Sequence, residues 1–173
     1  MHKEFTILED IVVHSVPDGI KTTLSKGKEG IISQSLGNNY TIIVEGNMYQ
    51  LNGIDGEKIG EEKIEVNSNN FANEEEVWNM LQTCYDPEIP VNIVDLGLVY
   101  DCTVKESKEG VNVSIKMTLT APGCGMGPVI ADEVKEKVSS LDGANDVEVE
   151  LVWEPQWNQD MMSDAAKLQL GLY

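Results

Sequence analysis

The chain has 173 residues, enough for one full domain and a smaller unit, and a formal net charge of -18 in which all twelve basic residues are lysine. Neither part is basic: six lysines face eleven acids up to residue 73, and six face nineteen after it. That excludes the basic footprint needed by nucleic acids and anionic membrane surfaces, and it removes the guanidinium suited to bidentate phosphate recognition.

The N-terminus, Met1-His2-Lys3-Glu4-Phe5, carries no signal-like apolar run, and no stretch approaches the roughly 20 apolar residues of a membrane span. The expected compartment is the cytoplasm. The three cysteines are scattered and odd in number, so they do not suggest a disulfide framework, and a reducing compartment leaves them as thiols.

Residues 1–70 read as a small all-β, barrel-like domain. Extended pieces at Ile11-Val12-Val13, Gly30-Ile31-Ile32, Tyr40 to Val44 and Met48 to Leu51 are separated by turn formers at Pro17-Asp18-Gly19, Leu36-Gly37-Asn38-Asn39, Glu45-Gly46-Asn47 and Asn52-Gly53. His14 has no second histidine or cysteine nearby; a lone imidazole is a poor metal or catalytic site, so it reads as structural. The polar join around Asn67-Ser68-Asn69-Asn70 marks the boundary.

Residues 71–173 read as helix, hairpin, helix, strand, helix: an α+β layer in which helices cover one face of a small antiparallel sheet. Asn73 is a good N-cap, Glu74 to Glu76 suit the first turn, and Val77, Met80, Leu81 and Cys84 fall on one buried stripe. Pro87 ends the helix by Tyr85-Asp86. After the stiff turn Asp86-Pro87-Glu88-Ile89-Pro90, Leu96, Leu98, Tyr100, Cys102 and Val104 alternate along a strand, which turns Cys102 toward the core. Its partner alternates from Val111 to Thr120. Thr118 to Pro128 then form a neutral glycine-rich loop leading into a helix at Pro128, with Ile130, Val134, Val138 and Leu141 inward and Asp132, Glu133, Lys135, Glu136 and Lys137 toward water. A strand from Val147 to Trp153, a loop, and a short helix from Ser163 through Leu170 complete the chain.

Periodicity thus assigns Cys84 and Cys102 to the core, where free cysteine behaves as a small hydrophobe. Cys124 lies between Gly123 and Gly125, where backbone N–H groups and a helix start can stabilise a thiolate. The bland alternative is a small residue in a tight turn. An anion cradle is a further reading, although Gly123 to Pro128 lacks the third glycine of GxGxxG. A thiol enzyme lacks an evident histidine partner. Asp86, Glu88 and Asp95 read either as general acids, bases or iron ligands, or as turn formers and surface charges. Trp153 and Trp157 read as packing and an interface edge.

Asp86 through Tyr100 and Thr118 through Pro128 resemble the two signature blocks of the PaaD-like, MIP-family domain. Trp153-Glu154-Pro155-Gln156-Trp157 with Met162 through Gly171 is similar to its SufT-type branch, whose members are also expected to carry a small N-terminal β domain. The resemblance implies an auxiliary iron-sulfur cluster assembly protein rather than an enzyme. It places the family's reactive cysteine on Cys124, with Gly123 and Gly125 beside it, and the acidic signature on Asp86, Glu88 and Asp95. It also implies a transient iron-sulfur cluster, completed by the second subunit of a homodimer or by a partner, and as partners the assembly machinery and client apo-proteins. A non-catalytic adaptor that binds no cluster of its own is the alternative.

Overall fold

The computed structural model describes residues 2–64, 70–121, 123 and 125–172. The chain divides into two compact units: Met1–Glu65 with Pro87–Pro90 and Cys124–Met126, and Val66–Asp86 with Val91–Gly123 and Gly127–Tyr173.

The first unit contains β1 (Lys3–Thr6), β2 (Ile11–Ser15), β3 (Lys21–Leu24), β4 (Glu29–Leu36), β5 (Asn39–Val44) and β6 (Asn47–Asn52), followed by a 3₁₀ helix at Gly53–Ile59. They form one antiparallel sheet in the order β1-β4-β5-β6-β2-β3. The β5–β6 hairpin turns through Glu45 (φ 52°) and Gly46 (φ 80°), the paired positive dihedrals whose twist suits a two-residue hairpin. Phe5, Ile11, Val13, Ile42, Val44 and Leu51 lead its core.

The expected barrel is corrected to an open sheet. Among the described residues β1 pairs only with β4 and β3 only with β2, so the ladder does not close. Both edge strands are four residues long, one way sheets blunt their edges. Their shortness also hid them in the sequence, because four residues give too little alternation to read. Asn52 is not merely a turn residue: its side chain accepts from the Ile54 N–H and caps the 3₁₀ helix.

The second unit contains α1 (Glu74–Leu81), β7 (Val99–Ser107), β8 (Gly110–Met117), α2 (Gly127–Ser139), β9 (Ala144–Leu151), a 3₁₀ turn at Gln159–Met161, and α3 (Asp164–Leu170). The Asn73 side chain accepts from the Glu76 N–H at 2.9 Å, and Ser163 caps α3 through the Ala166 N–H at 3.1 Å. The sheet order is β7-β8-β9. It is mixed, not antiparallel as expected: β7 and β8 form a hairpin, but α2 intervenes between β8 and β9 and carries the chain back to start β9 parallel to β8. Val113, Ile115 and Met117 of β8 and Ile130, Val134 and Val138 of α2 are all buried.

Lys137, Trp153 and Cys102, the last half-buried rather than in the core, depart from the sequence reading on this unit. Lys137 is 1% exposed rather than solvated. Its ammonium donates to the Thr83 carbonyl (2.6 Å) and Thr83 Oγ1 (3.1 Å) and pairs with Glu133 Oε1 (3.2 Å). Trp153, read as the last residue of the final strand, lies beyond β9 and is 44% exposed.

Candidate functional site

Register brings the singled-out segments to one end of the three-stranded sheet. Met117, the last residue of β8, pairs with Val99 at the start of β7 and with Leu151 at the end of β9. The turn before β7, the loop after β8 and the tail after β9 therefore all leave the sheet at the same end.

The turn is built by its polar residues. Asn92 Oδ1 accepts from the Asp95 N–H at 2.9 Å while Asn92 Nδ2 donates to Asp95 Oδ2 at 2.7 Å. Leu96 N–H donates to the Asn92 carbonyl, closing a single helical turn. Asp95 is thus engaged in local architecture. Asp86 is buried, against the expectation of a surface charge, and Glu88 is exposed.

The tail is clamped onto this turn and the start of β7 at four points. Ser163 N–H donates to the Asp95 carbonyl (2.8 Å), Trp157 Nε1 to the Leu96 carbonyl (2.8 Å), and Tyr100 Oη to the Pro155 carbonyl (2.7 Å). Gly97, at φ 75°, lies so close to the Met161 carbonyl that a Cβ would collide with it. The sequence reading missed this clamp. Its signals were a tryptophan in a polar loop and a glycine inside an apolar alternation, neither of which identifies the other without the fold.

The glycine-rich loop is anchored on both sides. At its start Thr118 is buried and its N–H donates to the Leu98 carbonyl at 2.8 Å. At its end α2 begins at Gly127, one residue before the expected Pro128, where a Cβ would meet Leu119 Cδ1 at 2.8 Å and Leu151 Cδ1 at 3.2 Å. Gly123 takes φ 78° with open space where a Cβ would project, a backbone shape that favours glycine. Cys124 and Pro122 lie outside the described residues.

Cys84 is fully buried, beyond the end of α1 rather than inside it, because the last turn tightens through Thr83 and Cys84 N–H bonds to Met80 and Leu81 and the chain then pairs Tyr85 with Asn92. Burial, reinforced by the Glu133 carboxylate, pushes its thiol up to about 12. Burial, with Glu74 and Asp101 nearby, pushes the half-buried Cys102 thiol up to about 11. Neither is a ready thiolate. Among the described residues no three His, Cys, Asp or Glu side chains form a set able to hold a metal ion. The described part of one chain therefore does not fit a resident iron-sulfur cluster, which needs several thiolates.

The fold and this end of the sheet define a small α+β domain that displays a glycine loop, a capped turn and a clamped tail together. The chain belongs to the iron-sulfur cluster assembly protein family, whose model matches residues 74–151. A Porphyromonas gingivalis protein named Fe-S protein maturation auxiliary factor is 46% identical over 106 residues, 61% of this chain and 98% of that protein. Bacillus subtilis YitW, with the same description, is 45% identical over 58% of this chain and 96% of its own length, and Staphylococcus aureus SufT is 48% identical over 50% and 96%.

Among solved structures, a domain of unknown function, DUF59, from Bacillus anthracis matches with TM-score 0.51 and 40% identity over 58% of this chain and 92% of that one. A conserved hypothetical protein, TM0487, from Thermotoga maritima matches with TM-score 0.50 and 32% identity over 60% and 99%. The matched segments take up 96 to 98% of these three relatives and 50 to 61% of this chain.

Proposed function

We propose that this protein is an auxiliary factor in iron-sulfur protein maturation that carries a cluster as cargo and delivers it to client apo-proteins through Cys124, flanked by Gly123 and Gly125. The accounting of thiols carries this reading: Cys84 is buried and Cys102 half-buried, both with raised pKa values, and Cys124 belongs by sequence to the loop whose two ends are fastened to the sheet. One thiol cannot complete a cluster, so the remaining ligands come from a second copy or from a partner of the assembly machinery. The role is non-catalytic and cytoplasmic, in a compartment that keeps the thiols reduced. Asp95 shapes the turn before β7 through its bonds to Asn92, and Asp86 and Glu88 complete the acidic signature. The second domain has the PaaD-like form and is joined to the first near residue 70. Among the described residues no helix is long and apolar enough to cross a membrane.

Anaerobic reconstitution with iron and sulfide tests the reading. Wild type, alone or with a client, develops visible cluster absorption and Cys124→Ser does not. Absence of absorption in wild type, or its persistence in the variant, overturns the carrier role.

The adaptor reading has its own observation: the clamped tail leaves Trp153 44% and Leu168 71% exposed. It predicts client capture that survives Cys124→Ser and fails when the chain is cut after residue 152.

A further inference from the structure

We infer that the free edge of β7 pairs with the β7 edge of a second copy, joining two sheets through a strand that is complementary to itself. Among the described residues β7 pairs only with β8, and no backbone bond reaches Val99–Ser107 from any other element. The strand is regular from Asp101 to Ser107, its one irregularity lying between Val99 and Asp101. Seven regular residues give about 24 Å of pairable edge.

The side chains choose both the partner and the register. Asp101, Thr103 and Lys105 lie opposite Lys116, Ser114 and Asn112 of β8, on the polar face, whereas Cys102 and Val104 lie opposite the buried Ile115 and Val113. An antiparallel pairing centred on Thr103, with the two-fold axis normal to the sheet, sets Asp101 against Lys105 of the partner and Lys105 against Asp101 of the partner. It also sets Thr103 against its own copy, a favourable cross-strand pair. Sliding the strand by two residues either way places neither charge opposite its complement.

The other edge of this sheet makes the contrast. β9 carries Asp146, Glu148 and Glu150 on the same face, and self-pairing centred on Glu148 sets acid against acid throughout. Like charges directly opposite are destabilising, so β9 is protected from self-association while β7 invites it. An isologous contact of this kind closes at two copies.

Sedimentation equilibrium of the full, cluster-free chain between about 1 and 200 μM at low ionic strength is the test. Wild type is expected to be a dimer in equilibrium with monomer. D101K and K105D, each placing two like pairs across the axis, are expected to weaken the dimer by at least about tenfold, and the D101K/K105D exchange to restore it to within about threefold. The two residues are exposed, and circular dichroism checks that the variants remain folded. A monomer throughout the range overturns the inference, as does a dimer indifferent to the single changes or not restored by the exchange. Because the chain carries no cluster in this experiment, its outcome is independent of the carrier reading.

Discussion

Lys137 shows how far one side chain can depart from its composition. It follows Ile130 and Val134 at helical spacing, so the apolar stripe of α2 runs through it, and its long stem carries an ammonium with three donors to the α1 terminus. Its ammonium meets the Thr83 carbonyl where the α1 macrodipole is negative, and Glu133 one turn back supplies the countercharge. The buried thiol beside this cluster has a measurable signature. Cys84 is neutral when protonated, and its folded pKa of about 12 lies above the ordinary value near 8.5. The unfolded chain therefore releases a proton that the folded chain keeps. The associated stability is intact below about pH 8.5 and is lost as pH rises toward 12, at about 1.4 kcal/mol per unit for one thiol. Urea midpoints from pH 7 to 11 should fall above pH 9, and Cys84→Ala should flatten that part of the decline.

At the scale of elements, the junction of turn, loop and tail depends on Gly97. An alanine there must adopt φ 75° and push against the Met161 backbone, so Gly97→Ala is expected to destabilise the domain by about 1 to 3 kcal/mol. Thermal unfolding measures that loss, and limited proteolysis should show faster cleavage within residues 153–163 as the Trp157 and Ser163 anchors weaken. Elements with one buried face were the legible ones. β8 alternates without a break, and α3 ends at Leu170 followed by Gly171 at φ 71°, as its composition indicates. β7 was only partly legible: Leu96 and Leu98 are buried in a capped turn, not in a strand, because apolar residues two apart satisfy either geometry.

Over the whole chain, the relatives match 50 to 61% of the sequence, and their own lengths are almost fully covered. The second unit is therefore expected to fold by itself. Asn70 and Ala72 bond the Asp142 backbone at 3.0 and 2.7 Å, so residues 70–173 retain this stitch. That polypeptide should unfold in one cooperative transition by circular dichroism and calorimetry; a broad, non-cooperative melt would show that the β unit is required for its stability.

The sequence by itself determined where the three α-helices lie, the buried place of Cys84, the glycine-flanked setting of Cys124 and the family resemblance, because hydrophobic period and turn chemistry are local properties. Only the tertiary structure decided that the first sheet stays open, that β9 runs parallel to β8, that Asp86 and Lys137 are buried, and that Trp157 and Gly97 lock the tail to the signature turn. Each of these depends on partners distant in the chain: strand pairing is settled by hydrogen bonds across the sheet, and the burial of a charge by whether another element supplies its counterparts.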